Sequence, residues 1–126
     1  MTSAVSLLNA ERLLAGNTGV SGNSARLAAF LARQALEDLV DERCNALGVH
    51  APDASMRSKL VILRALDAVE RADAAALAWN RLSSVCHHHA YELPPAQSEV
   101  RRLANVVEQL LAKTPALSAE RHDTGP

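Results

Sequence analysis

The run Glu99-Val100-Arg101-Arg102-Leu103-Ala104-Asn105-Val106-Val107-Glu108-Gln109-Leu110-Leu111 carries the clearest periodicity in the chain. Val100, Leu103, Val107, Leu110 and Leu111 recur at spacings that place them on one face of an α-helix. Pro95 fits the first position of that helix, and Glu99 falls in its first turn, where a carboxylate opposes the positive end of the helix dipole. Thr114-Pro115 ends it, because proline has no amide hydrogen to continue the ladder. One apolar stripe needs partners to cover it. The upstream sequence supplies them.

The first helix is predicted over roughly Ser3 to Ala15, with Leu7, Ala10 and Leu14 on one stripe and Leu8 and Leu13 beside it. Gly16, Gly19 and Gly22 then mark a linker with Asn17, Thr18 and Ser21; it lacks the Gly-Lys-Ser/Thr ending of a phosphate-binding loop. Asn23 or Ser24 caps a long second helix to about Leu47, with Leu27, Phe30, Leu31, Ala35, Leu39 and Leu47 in register and Gly48 as its stop. His50 falls in the loop beside Pro52. Asp53 or Ser55 opens a third helix that presents Met56, Leu60, Leu63 and Leu66. A polar break over Arg71–Asp73 precedes a fourth helix from about Ala74 to Ala90, with Ala78, Trp79, Leu82 and Val85 inward and Pro94-Pro95 as its end. The expectation is an all-α, antiparallel four-to-five-helix bundle over 1–113, with a disordered tail over 114–126. Leu31, Leu39, Leu60, Leu63, Leu82, Leu103 and Val107 are expected inside it.

Composition agrees. The 126 residues suffice for one domain with a core. Aromatics make up 2% and β-branched residues are few, which leaves little material for a sheet. No apolar run approaches the ~20 residues that span a bilayer, and the N-terminus lacks the layout of a signal peptide, so no membrane partner and a cytoplasmic location are expected. The two cysteines, Cys44 and Cys86, are too few for a disulfide framework. A net charge of −1 offers no general basic field, so binding to nucleic acid has to use a local patch.

One such place is Asn80-Arg81-Leu82-Ser83-Ser84-Val85-Cys86-His87-His88-His89-Ala90-Tyr91, which holds three of the five histidines and the only tyrosine. At about 100° per residue, Arg81 and His88 share a helix face two turns apart, while His87 lies with Asn80, Ser84 and Tyr91. His89 lies over Leu82 and Val85, nearest the core. Consecutive histidines diverge and cannot converge on one ion, so no metal is expected, nor any other cofactor. Cys86 and His87 diverge too, which disfavours a Cys–His nucleophile. Cleavage of RNA without a metal needs a proton acceptor, a proton donor and a cation at the phosphate. Histidine and arginine supply these, but one Arg81–His88 pair is too few, so the chemistry calls for a homodimer. The alternative is a polar helix end that stabilises a dimer or docks a partner protein, its histidines favoured by the dipole alone.

Arg81 followed by six residues and His88, or by five and His87, resembles the Arg-x(4–6)-His motif of the HEPN family. The likeness is sharpest over residues 74–111 and extends over 3–70 as a helix pattern. It implies a small helical bundle that dimerises through the motif helix, and a metal-independent ribonuclease of a toxin–antitoxin or antiphage system, with an antitoxin protein as a partner. Binding members with eroded motifs also occur in the family. Leu82 follows the arginine where catalytic members often carry a polar residue, and Asn80 precedes it instead. On this resemblance Arg81, His88 and His87 are the catalytic candidates, and Asn80, Tyr91 and His89 contact the RNA.

Overall fold

The computed structural model describes residues 3–15, 22–87 and 96–123. They form five helices: α1 (Ser3–Ala15), α2 (Gly22–Ala46), α3 (Met56–Leu66), α4 (Val69–Cys86) and α5 (Gln97–Asp123). No strand occurs among the described residues. The all-α bundle expected from the sequence is what forms. Its axis is α2, which packs against each of the other four helices; α1 also meets α5, and α4 lies between α3 and α5.

The elements start and stop for local reasons. Ser55 caps α3, its hydroxyl accepting the Ser58 N–H at 3.1 Å. Gly48, with φ +89°, closes α2. The Val49 N–H reaches the Cys44 carbonyl at 2.9 Å and the Gly48 N–H that of Asn45 at 3.0 Å, the paired bonds of a Schellman ending. At the other end of the bundle, the Leu14 carbonyl at the close of α1 accepts from Gln97 Nε2 at 2.9 Å and Arg101 Nη2 at 3.0 Å. The first turns of α5 are thereby fixed to α1.

The core is built from small aliphatic residues. Ala28, Ala29, Ala32, Ala35, Leu36, Leu39 and Val40 of α2 face Leu7, Ala10, Leu14, Ala72, Ala75, Ala78, Leu82, Val100, Ala104 and Val107. Alanine at these seams lets the helix axes approach closely, and the contact area comes from backbone and methyl groups. Leu39, Leu63, Leu82, Leu103 and Val107 are buried as expected, while Leu31 and Leu60 are only partly covered.

Five expectations need correction. Leu27 and Phe30 do not lie on the buried face of α2; Phe30 is 52% exposed, because alanines carry that face and the large residues fall beside it. Leu66 of α3 is likewise exposed. The break between α3 and α4 is at Asp67-Ala68 and not at Arg71–Asp73. Those charged residues stay helical because each has a partner, Arg71 with Asp67 and Asp73 with Arg64. The α-helical part of α4 ends at Cys86, short of Ala90. Finally, α5 runs through Pro115 to Asp123, past the stop expected at Thr114-Pro115. Proline removes one bond of the ladder, and the good helix formers Ala116, Leu117, Ala119 and Glu120 follow it. Pro95, expected at the first position of α5, lies outside the described residues.

The α1–α5 seam gives a first expected result. Burial pushes the Glu11 carboxyl above its ordinary 4.5, and hydrogen bonding and charge from Glu108 push the same way. A raised carboxyl contributes stability below its unfolded value that is lost as the pH rises through the folded one. Glu11→Gln is therefore expected to raise the melting temperature at pH 7. The gain should vanish near pH 4, which thermal unfolding of both proteins at the two pH values checks.

Candidate functional site on the outer face of α4

Helical period divides α4 cleanly. Ala72, Ala75, Ala78, Leu82 and Val85 are buried, so Asp73, Leu77, Asn80, Arg81, Ser84 and His87 are turned to solvent. Three of the six site residues expected from the sequence can thus be located, and all three are exposed. Asn80 and Arg81 are adjacent on the helix. His87 is its C-cap, with its backbone N–H donating to the Ser83 carbonyl at 3.0 Å. It lies about 9 Å farther along the axis than Arg81. His88, His89 and Tyr91 lie outside the described residues.

Arg81 is the most open of these groups, with 60% of its side chain accessible. Its Nη1 stands 3.9 Å from Oε2 of Glu99, which belongs to the first turn of α5. That distance allows a charge interaction but not a hydrogen bond. Among the described residues no acceptor takes the guanidinium donors, which offer an oxyanion a planar fork suited to two phosphate oxygens. Leu77, one turn earlier, is 58% exposed and gives the same face an apolar centre.

Sequence reasoning missed what surrounds Trp79. Its indole N–H donates to Glu37 Oε2 at 3.3 Å, and the Arg33 guanidinium lies 5.5 Å from the ring centroid. Arg33 also pairs with Glu37 at 3.3 Å, one turn along α2. Trp79 is partly buried in this polar seam between α2 and α4. Cys86 belongs to the same neighbourhood. Burial pushes its thiol up, the charge and hydrogen bonding of Arg33 pull it down, and Glu37 adds to the rise; the net direction is upward. A raised thiol is a poor nucleophile at neutral pH. The i,i+4 spacing of Arg33 and Glu37 was the available signal, but it does not reveal the tryptophan across the seam.

A second cluster was also missed. Arg43 of α2 grips Asp67 with two hydrogen bonds, Nε to Oδ2 at 2.9 Å and Nη2 to Oδ1 at 3.1 Å. Arg71 adds a third at 3.2 Å. Arg43 and Asp67 are each only 2% exposed, so this pair is structural and inaccessible to a substrate. Both cysteines are free thiols. Among the described residues, no group of three His, Cys, Asp or Glu side chains is placed to hold a metal ion.

No family model, curated protein or solved structure matches this chain.

Proposed function

We propose that the chain is a HEPN-like homodimer acting on RNA in the cytoplasm, as a metal-independent ribonuclease or RNA-binding relative in a toxin–antitoxin or antiphage system. An antitoxin protein would be its regulatory partner. The observation that carries this reading is the exposed Arg81, whose donors meet no acceptor among the described residues, on the same helix as the histidine at its C-terminal cap. No described helix is long and apolar enough to cross a membrane.

The chemistry follows from the side chains. One histidine takes the proton of a ribose 2′-hydroxyl, whose oxygen attacks the adjacent phosphorus. The guanidinium of Arg81 stabilises the charge gathering on the phosphoryl oxygens. A second histidine gives a proton to the departing 5′-oxygen, leaving a 2′,3′-cyclic phosphate. His88 leads for proton transfer, as the residue that the Arg-x(6)-His spacing pairs with Arg81, with His87 as its nearest substitute. Two copies of α4 across a twofold axis supply both histidines and both cations.

Incubating the purified protein with single-stranded RNA and excess chelator tests this. Cleavage to 2′,3′-cyclic ends, by a species that sediments as a dimer, is the expected result. A monomer at micromolar concentration that neither cleaves nor binds RNA would count against the proposal.

The exposed Leu77 also favours a second reading, in which the outer face of α4 is a dry protein-docking surface. Apolar packing of Leu77 in the dimer, with Arg81 left at the rim, would distinguish this module from a polar catalytic cleft.

A further inference from the structure

We infer that Glu99 is an internal competitor for the phosphate-binding group of this site, occupying Arg81 until an RNA phosphate displaces it. The inference rests on the RNA reading of α4 given above and concerns how that site chooses its ligand.

Glu99 is held in place by the architecture. Gln97 and Arg101, on either side of it, are both bonded to the Leu14 carbonyl of α1, which ties the first turns of α5 to α1. The carboxylate stands 3.9 Å from Arg81 on a turn that is itself held by α1. It has a second source of stabilisation in the N-terminal end of the α5 dipole, so it loses little when Arg81 turns away.

Arg81 is likewise neutralised without being used. The charge of Glu99 screens it, yet it makes no hydrogen bond among the described residues. By contrast Arg43, Arg71 and Arg101 each donate to an oxygen. A phosphate offers Arg81 what Glu99 withholds, two oxygens at hydrogen-bond distance. It must first overcome a carboxylate that lies well within the ~8 Å screening length of physiological salt. Arg102, exposed and one turn on from Glu99, shares its side of α5, so neutralising Glu99 raises the positive charge of the surface around both arginines. A lone phosphate gains too little to displace the carboxylate, whereas a chain that engages several cations at once gains enough. Glu99 therefore biases the site towards polynucleotide.

The test is a double-mutant cycle on the full chain, with anisotropy of a labelled single-stranded RNA as the readout at low salt. Glu99→Gln should tighten binding roughly fivefold, the scale of an exposed ion pair. The gain should disappear in an Arg81→Ala background and shrink as salt is raised. Glu70→Gln, an equal change of charge at the far end of α4, should leave affinity unaltered. All these side chains are at least partly exposed, so helical content by circular dichroism should stay the same.

If Glu99→Gln binds no more tightly, or gains equally without Arg81, the competitor role is wrong while the RNA reading stands. If Arg81→Ala binds RNA as well as wild type does, or if neither wild type nor Glu99→Gln binds RNA, the site itself is lost and the inference goes with it.

Discussion

Asp67→Ala is expected to destabilise the bundle by about 3–5 kcal/mol, the usual cost of stranding one partner of a buried ion pair. Folded domains have only about 5–15 kcal/mol in total, so the variant should be near its unfolding threshold at ambient temperature. The reason lies in what Asp67 leaves behind. Arg43 is 2% exposed and gives this carboxylate two hydrogen bonds. Without the carboxylate, a guanidinium from the central helix faces the core uncompensated. The turn loosens as well, because Asp67 Oδ1 accepts the Ala68 N–H at 2.8 Å, and Ala68 brings no capping side chain of its own to α4.

The two partners should not be equivalent. Arg43→Met removes the charge but keeps much of the volume, and Asp67 retains Arg71 and the Ala68 N–H, so the loss should be smaller. The double variant Arg43→Met/Asp67→Leu should recover much of the stability, since an apolar pair of similar volume requires no charge desolvation. Acid provides an independent check. Burial alone would raise the Asp67 carboxyl, but hydrogen bonds from Arg43 and the Ala68 N–H, with the charges of Arg43 and Arg71, outweigh it and bring it below its ordinary 3.8. A lowered carboxyl contributes stability that is complete above the unfolded value and lost as the pH falls through the folded one. Urea unfolding of wild type should therefore weaken more steeply below about pH 4 than that of the double variant. Equal stability of Asp67→Ala and wild type at pH 7 would show that the pair contributes nothing.

The helices were legible from the spacing of leucine and valine, and of the residues that the Arg–His spacing singled out, Arg81 and His87 lie exposed along and at the end of α4 while His88 is outside the described residues. What could not be read follows from a common cause. A sequence displays the type of a side chain but not its partner. Arg71 and Asp73 looked like a break because charge next to charge normally means solvent, yet each is paired inside or across helices. Leu27 and Phe30 looked like core because they are large, yet the core of α2 is made of alanines that a pattern of bulky residues passes over. The same holds at the site. Asn80, Arg81 and His87 are exposed on α4, as a polar helix face implies. Glu99 was noted only as a helix-start residue, although it is the group that faces Arg81. Trp79 has its hydrogen-bond partner, Glu37, on α2, 42 residues away.

Arg81→Ala is expected to reduce RNA cleavage by on the order of 10²–10³, the cost of removing a preorganised charge from a developing oxyanion. The same substitution should leave the fold almost untouched. The side chain is 60% exposed and its ion pair with Glu99 is long, and such surface pairs contribute about 0–1 kcal/mol. That contrast separates chemistry from structure. At the Arg43–Asp67 pair stability falls without any direct role in the site, whereas at Arg81 activity falls while the melting temperature holds. Arg81→Lys should recover part of the rate, because it restores the charge but not the two-pronged fork. His88→Ala should abolish cleavage, and His87→Ala should lower it less. The opposite order would place proton transfer at the helix cap. Single-turnover rates on one RNA, with chelator present and the melting temperature measured on the same preparations, decide among these. Unchanged cleavage by the Arg81→Ala/His88→Ala double variant would remove the outer face of α4 from the reaction and leave protein docking as its use.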